Sequence, residues 1–487
     1  MNDPVTLPFW QLLSLVALAG WATLTVFLLP SARWFLRRRV NRVLERVDRG
    51  LHIRIQPFKL TKRRVLIERL LYDPQVLAAM DAYAEEEDMP RDIALARVER
   101  YAREIVPAFN AYAYFAFGYW ISRKVASSLF RLRLGFTDDK GLADLAPGTA
   151  VVFVMNHRSN MDYVMVSYLA ASRTALSYAV GEWARVWPLQ QLVRAMGAYF
   201  VRRRSRNALY RKVLERYVQM ATASGVTQAI FPEGKLTRDG QLQEPRLGIL
   251  DYMVRDFDAD GERDVVFVPV GLNYDRTFED RSLLLSAHGD RPEVGRLRAL
   301  LTTLSFISRN LWMMVRSKWH RFGYACVNFG TPVSLQAWLQ HRGLDPRGLA
   351  KDERIAHVGA LAADLMDAIG RVVPVLPVAL VSEVFTTAPQ QQLSLLEIKT
   401  QVQVRMEQLE QGGAHVYIPR ADRGYAIECG LRMLTLRRMV EEQDGLFAAV
   451  EGENPLLEYY ANSIAHLPIA AHGSPPDQEP PSTSTVG

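Results

Sequence analysis

Four short apolar runs constrain the fold of this chain more than any other feature: Ala150–Met155, Thr227–Phe231, Val265–Val270 and Tyr324–Phe329. They are too short for buried helices and continuous enough for strands covered on both faces. Helical stretches separate them, among them Met161–Ser172, Ala208–Ala223 and Gly248–Phe257. The alternation predicts an α/β fold with a largely parallel or mixed central sheet flanked by helices. Ligands of such a sheet lie outside the carboxyl ends of its strands, and three of the four runs lead straight into a polar motif there.

The first motif is Asn156-His-Arg-Ser-Asn-Met-Asp162. It sets His157 and Asp162 five positions apart at the mouth of a strand. An imidazole is the side chain whose ordinary pKa suits proton removal near neutrality, and a carboxylate beside it fixes its tautomer and stabilises the imidazolium. The same Ser159–Asp162 stretch also fits a helix capping box, in which Asp162 serves only the helix start. The second motif is Phe231-Pro-Glu-Gly-Lys-Leu-Thr-Arg-Asp-Gly240, which gathers Glu233, Lys235 and Arg238 around two glycines suited to tight turns. Between them runs Gly197-Ala-Tyr-Phe-Val-Arg-Arg-Arg-Ser-Arg206. Its arginines suit bidentate phosphate binding, although such a run is more often a solvated basic face. The third strand ends in Val268-Pro-Val-Gly.

The chain has 487 residues and a formal charge of +7, a balance that fits a membrane surface, an anionic substrate or nucleic acid. Nucleic acid is set aside because zinc-finger spacing, an RNA-binding aromatic signature and a long Lys/Arg block are all missing. Two cysteines, Cys326 and Cys429, make no disulfide framework. Without His-Glu-x-x-His or paired Cys-x-x-Cys spacing, no metal is expected. Phe9–Leu29 carries no charged residue and is succeeded by Arg33, Arg37, Arg38, Arg39 and Arg42. A run of that length is expected to span roughly 30 Å of hydrocarbon, with the arginines placing the rest of the chain on the cytoplasmic face of the inner membrane; a buried core helix is the alternative. Val106–Ile121 and residues 300–320 are aromatic and amphipathic, read as buried helices or as helices at the membrane interface. The expected organisation is an anchor over 1–30, a basic helical region over 31–145, an α/β domain over 146–335, a helical subdomain over 336–471 and a disordered tail over 472–487.

Four blocks in this order resemble the glycerolipid acyltransferase superfamily: Asn-His-x4-Asp from Asn156, Gly-Ala-Tyr-Phe-Val-Arg-Arg from Gly197, Phe-Pro-Glu-Gly from Phe231 and Val-Pro-Val from Val268. The closest likeness is to the bacterial PlsB-type glycerol-3-phosphate acyltransferases, which Tyr459-Tyr-Ala-Asn-Ser-Ile-Ala-His466 also resembles. The resemblance implies acyl transfer from acyl-CoA or acyl-carrier-protein to the sn-1 hydroxyl of glycerol-3-phosphate, giving lysophosphatidate. It implies no acyl-enzyme and no further cofactor. Carried onto this chain it makes His157 the general base and Asp162 its orienter. Arg202 and Arg203 would bind the acceptor phosphate, Glu233 and Gly234 would complete that site with Lys235 or Arg238, and Pro269 would shape its wall. Leu236 stands where related sequences often place an arginine. That departure leaves lysophosphatidate or another lysolipid as an alternative acceptor, and a non-catalytic lipid-binding scaffold is the alternative of another class. Anionic membrane lipids are expected partners. The sequence gives no oligomeric state.

Overall fold

The computed structural model describes Pro8 and residues 57–110, 114, 118–146, 148–170, 176–181, 189–202, 205, 207–287 and 322–468. The expected anchor Phe9–Leu29, Arg203, residues 300–320 and the tail from 472 lie outside them. Among the described residues, no helix is long and apolar enough to cross a membrane.

Helices α1 (Pro57–Leu60), α2 (Arg63–Leu71), α3 (Pro74–Glu86) and α4 (Arg91–Ile105) come first. Their breaks have local causes. Asp73 caps α3 by accepting from the amides of Gln75 and Val76, with Pro74 in the first turn, where a missing N–H costs nothing. Pro107 ends α4, since the residue before a proline is driven from the helical region, and Val106 sits at φ −63°, ψ 122°. The helix expected over Val106–Ile121 is therefore not continuous: residues 107–110 are not helical, and α5 begins only at Tyr119, running to Leu129.

The sheet domain comes next as β1 (Arg131–Thr137), α6 (Asp139–Ala143), β2 (Ala150–Met155), α7 (Asp162–Ala170), β3 (Ser177–Val180), α8 (Leu189–Ala195), β4 (Tyr199–Phe200), α9 (Ala208–Ala223), β5 (Gln228–Ile230), α10 (Gly248–Val254), β6 (Val265–Tyr274), α11 (Asp280–Ala287), β7 (Tyr324–Phe329) and β8 (Val333–Ser334). The strand order is β1-β7-β6-β2-β5-β3-β4, with β8 also on β6. The pairs from β6 through β2, β5 and β3 to β4 are parallel, whereas β7 and β8 run antiparallel to β6. The sheet is thus mixed. All residues of β2 and all ten of β6 are buried, which is why they read as unbroken apolar runs. Alternate residues feed separate cores: Ala150, Val152 and Val154 pack with α4, α9, α10 and the later helix 351–372, while Val151, Phe153 and Met155 pack with α5, α7 and β7. That is the period of two a strand imposes.

Beyond the sheet come α12 (Leu335–Arg342), α13 (Lys351–Val372), α14 (Pro377–Thr387), β9 (Leu393–Ser394), α15 (Leu395–Gln411), α16 (Arg423–Leu436), β10 (Val440–Gln443), β11 (Leu446–Ala449) and α17 (Asn454–Ala461). Helices α14 to α17 share a core containing Leu380, Phe385, Val402, Leu434 and Tyr460, while α12 and α13 pack into the core of the sheet. A small antiparallel sheet, β10-β11-β9, joins this helical part; its strands of two to four residues are too short to leave a periodic signal.

Candidate active site

Parallel order puts the ends of β2, β3, β4 and β5 along one edge of the sheet, and the polar motifs emerge there. Asn156 locks the first turn to its neighbour strand, donating through Nδ2 to Leu272 O at 2.9 Å and accepting from Leu272 N at 2.8 Å. His157 is next, 1% exposed, and Asp162 is fully buried. His157 Nδ1 lies 2.9 Å from Asp162 Oδ2. The same oxygen accepts from the amides of Arg158 at 2.8 Å and Ser159 at 3.0 Å, and Tyr274 OH donates to Oδ1 at 2.5 Å. Asp162 therefore tightens the loop and orients the ring at once. The capping-box alternative fails on the serine side, because Ser159 Oγ accepts from Met161 N and donates to Glu279. With two amides and Tyr274 OH donating to Asp162, its carboxylate is placed to accept from Nδ1 as well, the tautomer that leaves Nε2 with its lone pair. Nε2 is buried without a hydrogen-bond partner among the described residues.

The ring is stacked by Phe231 at 4.0 Å between centroids and met edge-on by Tyr163 at 5.6 Å. Both of these rings line a cavity of about 610 Å³. His157 thus stands one side chain behind the cavity wall. Five cations face the cavity, Arg202, Arg211, Lys235, Arg238 and Arg246, with no Asp or Glu among the described lining residues. Such a one-signed concavity concentrates anions. Part of its lining is apolar, with Leu214, Ile249, Leu250, Ala362 and Leu365.

Of the residues expected from sequence, His157, Asp162 and Glu233 come together, and Arg202, Gly234, Lys235 and Arg238 line the cavity. Pro269 does not. It sits inside β6 opposite Val154 of β2, between the stretch that pairs with β8 and the stretch that pairs with β7. A proline there forfeits no ladder bond on that side, which explains its tolerance in a central strand. Sequence reading missed Tyr274, Arg246 and Glu279. Glu279 holds the motif from outside, accepting from Ser159 Oγ at 2.8 Å and from Asn160 Nδ2 at 3.0 Å.

Residues 137–273 match the family described as Acyltransferase, and residues 310–471 match the glycerol-3-phosphate acyltransferase C-terminal region. A glycerol-3-phosphate acyltransferase of Pseudomonas putida is 27% identical over 450 residues, covering 88% of this chain and 52% of the relative. One from Pseudomonas aeruginosa is 31% identical over 311 residues, covering 63% of this chain and 36% of the relative. The chain is thus similar to glycerol-3-phosphate acyltransferases across both matched regions. It spans about half the length of the first curated relatives it matches. Among solved structures, the 1-acyl-sn-glycerophosphate (LPA) acyltransferase PlsC of Thermotoga maritima covers 52% of this chain and 78% of its own at 16% identity, with a TM-score of 0.30, too low to bear on fold or function.

Glu233 is 1% exposed and spends both oxygens on backbone: Oε1 accepts from His157 N at 2.8 Å and Oε2 from Gln243 N at 3.2 Å. It ties the His157 loop to the loop after β5 rather than facing the cavity. Burial pushes its carboxyl up to about 8, against the opposing pull of those two amides. Between about pH 4.5 and 8 the folded chain therefore keeps a proton that the unfolded chain has lost. Stability falls as pH rises through that window, with Asp275, pushed up to about 7 by burial, adding the same sign. Glu233→Gln is expected to make this fall shallower, read as urea midpoints between pH 5 and 8. Parallel midpoint curves for the two proteins would refute the assignment.

Proposed function

We propose that the chain transfers a fatty acyl group from acyl-CoA or acyl-carrier-protein to the sn-1 hydroxyl of glycerol-3-phosphate, releasing lysophosphatidate. The observation that carries this reading is a buried His157–Asp162 pair with a bare Nε2, set behind the wall of a cationic cavity. Nε2 takes the acceptor hydroxyl's proton as the oxygen attacks the thioester carbonyl. The C–O bond forms, the C–S bond breaks, and the imidazolium returns its proton to the departing thiolate. Asp162 stabilises the imidazolium meanwhile. A thioester is already activated, so positioning and a base suffice without a covalent enzyme intermediate. Because Nε2 is covered, a side chain of the wall that Phe231 and Tyr163 form between the imidazole and the cavity must move before the hydroxyl arrives. The acceptor's phosphate rests among Lys235, Arg238 and their neighbours, and no metal or further cofactor takes part.

The apolar lining of the cavity fits a fatty chain, whether the acyl donor's or that of lysophosphatidate, the alternative acceptor. Purified full-length protein in detergent, offered both acceptors with the same acyl-CoA and acyl-carrier-protein donors, is expected to acylate glycerol-3-phosphate. Turnover of lysophosphatidate alone would replace the first acceptor by the second, and turnover of neither would favour a lipid-binding scaffold. On the same reading Phe9–Leu29 anchors the chain in the inner membrane with the catalytic part on the cytoplasmic face, near anionic lipids. Its support is the uncharged run and the arginines after it, and fractionation after deletion of residues 1–30 checks it: undiminished membrane retention would remove the anchor.

A further inference from the structure

The five cations of the cavity are not equally available. Arg202, expected to bind phosphate, is already engaged. Its Nε and Nη2 reach the two carboxylate oxygens of Glu104 at 2.8 and 2.6 Å, and its guanidinium lies over the rings of Tyr101 and Tyr210. It fastens α4 to the segment after β4. Arg211 is also occupied. Lys235, Arg238 and Arg246 make no ion pair and no side-chain hydrogen bond among the described residues. Of these three, Arg246 is held in place. Its amide donates to Pro232 O at 2.8 Å, closing the neck of the loop after β5. Its stem lies across Gly234: a Cβ at that glycine would stand 2.8 Å from Arg246 Cδ and 3.5 Å from Nε, and the glycine's φ is +66°. The glycine thus supplies a flat shelf, and the shelf leaves the guanidinium at the cavity with its fork unspent.

We propose that Arg246 is the residue that grips the phosphate monoester of the acceptor, with Gly234 as its shelf and Lys235 and Arg238 adding point and fork charge around it. This rests on the reading of the cavity as the acceptor site. An arginine fork matches two phosphate oxygens at once, whereas an ammonium offers a single charge. Arg202 serves the wall and not the ligand.

Steady-state kinetics of the full chain test it, with whichever phosphate-bearing acceptor the wild type uses. Arg246→Ala is expected to raise the acceptor KM about 10–100-fold, the loss of a charge-assisted hydrogen bond pair, while the acyl-donor KM and the melting temperature stay put. Arg246→Lys should fall between. Calorimetric titration with inorganic phosphate reads the same site without turnover, and Arg246→Ala should abolish the binding seen in wild type. An unchanged acceptor KM and unchanged phosphate binding in Arg246→Ala would overturn the proposal. Wild-type phosphate binding that Arg246→Ala removes, in a protein that acylates no phosphate-bearing acceptor, would sustain Arg246 as the anion site and remove the acyltransferase reading.

Discussion

His157→Ala is expected to lose acyl transfer by about 10²–10⁴-fold, the range a positioned general base supplies, while remaining folded. The geometry supplies the reason it should stay folded. Removing the imidazole takes one donor from Asp162 but leaves Tyr274 OH and the amides of Arg158 and Ser159 on its two oxygens. The buried carboxylate therefore stays satisfied, and the His157 amide still reaches Glu233. A matched far-ultraviolet spectrum and urea midpoint close to wild type would assign the lost turnover to chemistry. Turnover equal to wild type would retire the imidazole as the base, whatever the protein's other activity. Tyr274→Phe belongs to the same experiment as its contrast: it takes one donor from Asp162 without touching the ring and should slow the reaction less.

The contrast between those two residues also explains what a sequence can and cannot disclose about this site. His157 and Asp162 are five positions apart, so their pairing is written in a local motif. Tyr274 meets Asp162 across 112 positions and Glu279 meets Ser159 across 120, and neither leaves a pattern in its own neighbourhood. Arg246 lies among Glu244-Pro-Arg-Leu with nothing to mark it until the loop closes on Pro232. The strands divide in the same way. β2 and β7 match the apolar runs at both ends because they are covered on both faces. β1, Arg131-Leu-Arg-Leu-Gly-Phe-Thr137, is an edge strand exposed along most of its length, and its arginines read as a basic surface. Arg202 is the opposite case: its residue type suits a phosphate, and only the structure shows that Glu104, 98 positions away, pairs with it.

Gly240→Ala is expected to be the most destabilising small substitution at the junction between the sheet and the C-terminal helices. Gly240 ends the loop that carries Lys235 and Arg238. Its φ is +86°, and a Cβ there would collide with Tyr459 O and stand 2.8 Å from the carbonyl carbon. The obstacle is backbone at a fully buried residue of α17, so no side-chain rotation relieves it. The same loop is sewn to its surroundings by Arg158 Nη1 on Gly240 O at 2.9 Å and by Asn462 Nδ2 on Asp239 O at 2.9 Å. Displacing α17 therefore pulls on Arg158, the residue next to His157. Left-handed strain costs about 1–2 kcal/mol, and forced overpacking adds about 1–3 kcal/mol. Gly413→Ala separates the two terms, because Gly413 has φ +82° and nothing within 4 Å of its Cβ position, so it should show the strain alone. Urea midpoints are expected to fall modestly for Gly413→Ala and much further for Gly240→Ala, with acyl transfer reduced only in the latter. Equal midpoints for the two variants would mean that α17 yields freely, and that the C-terminal helices do not hold the site's loop in place.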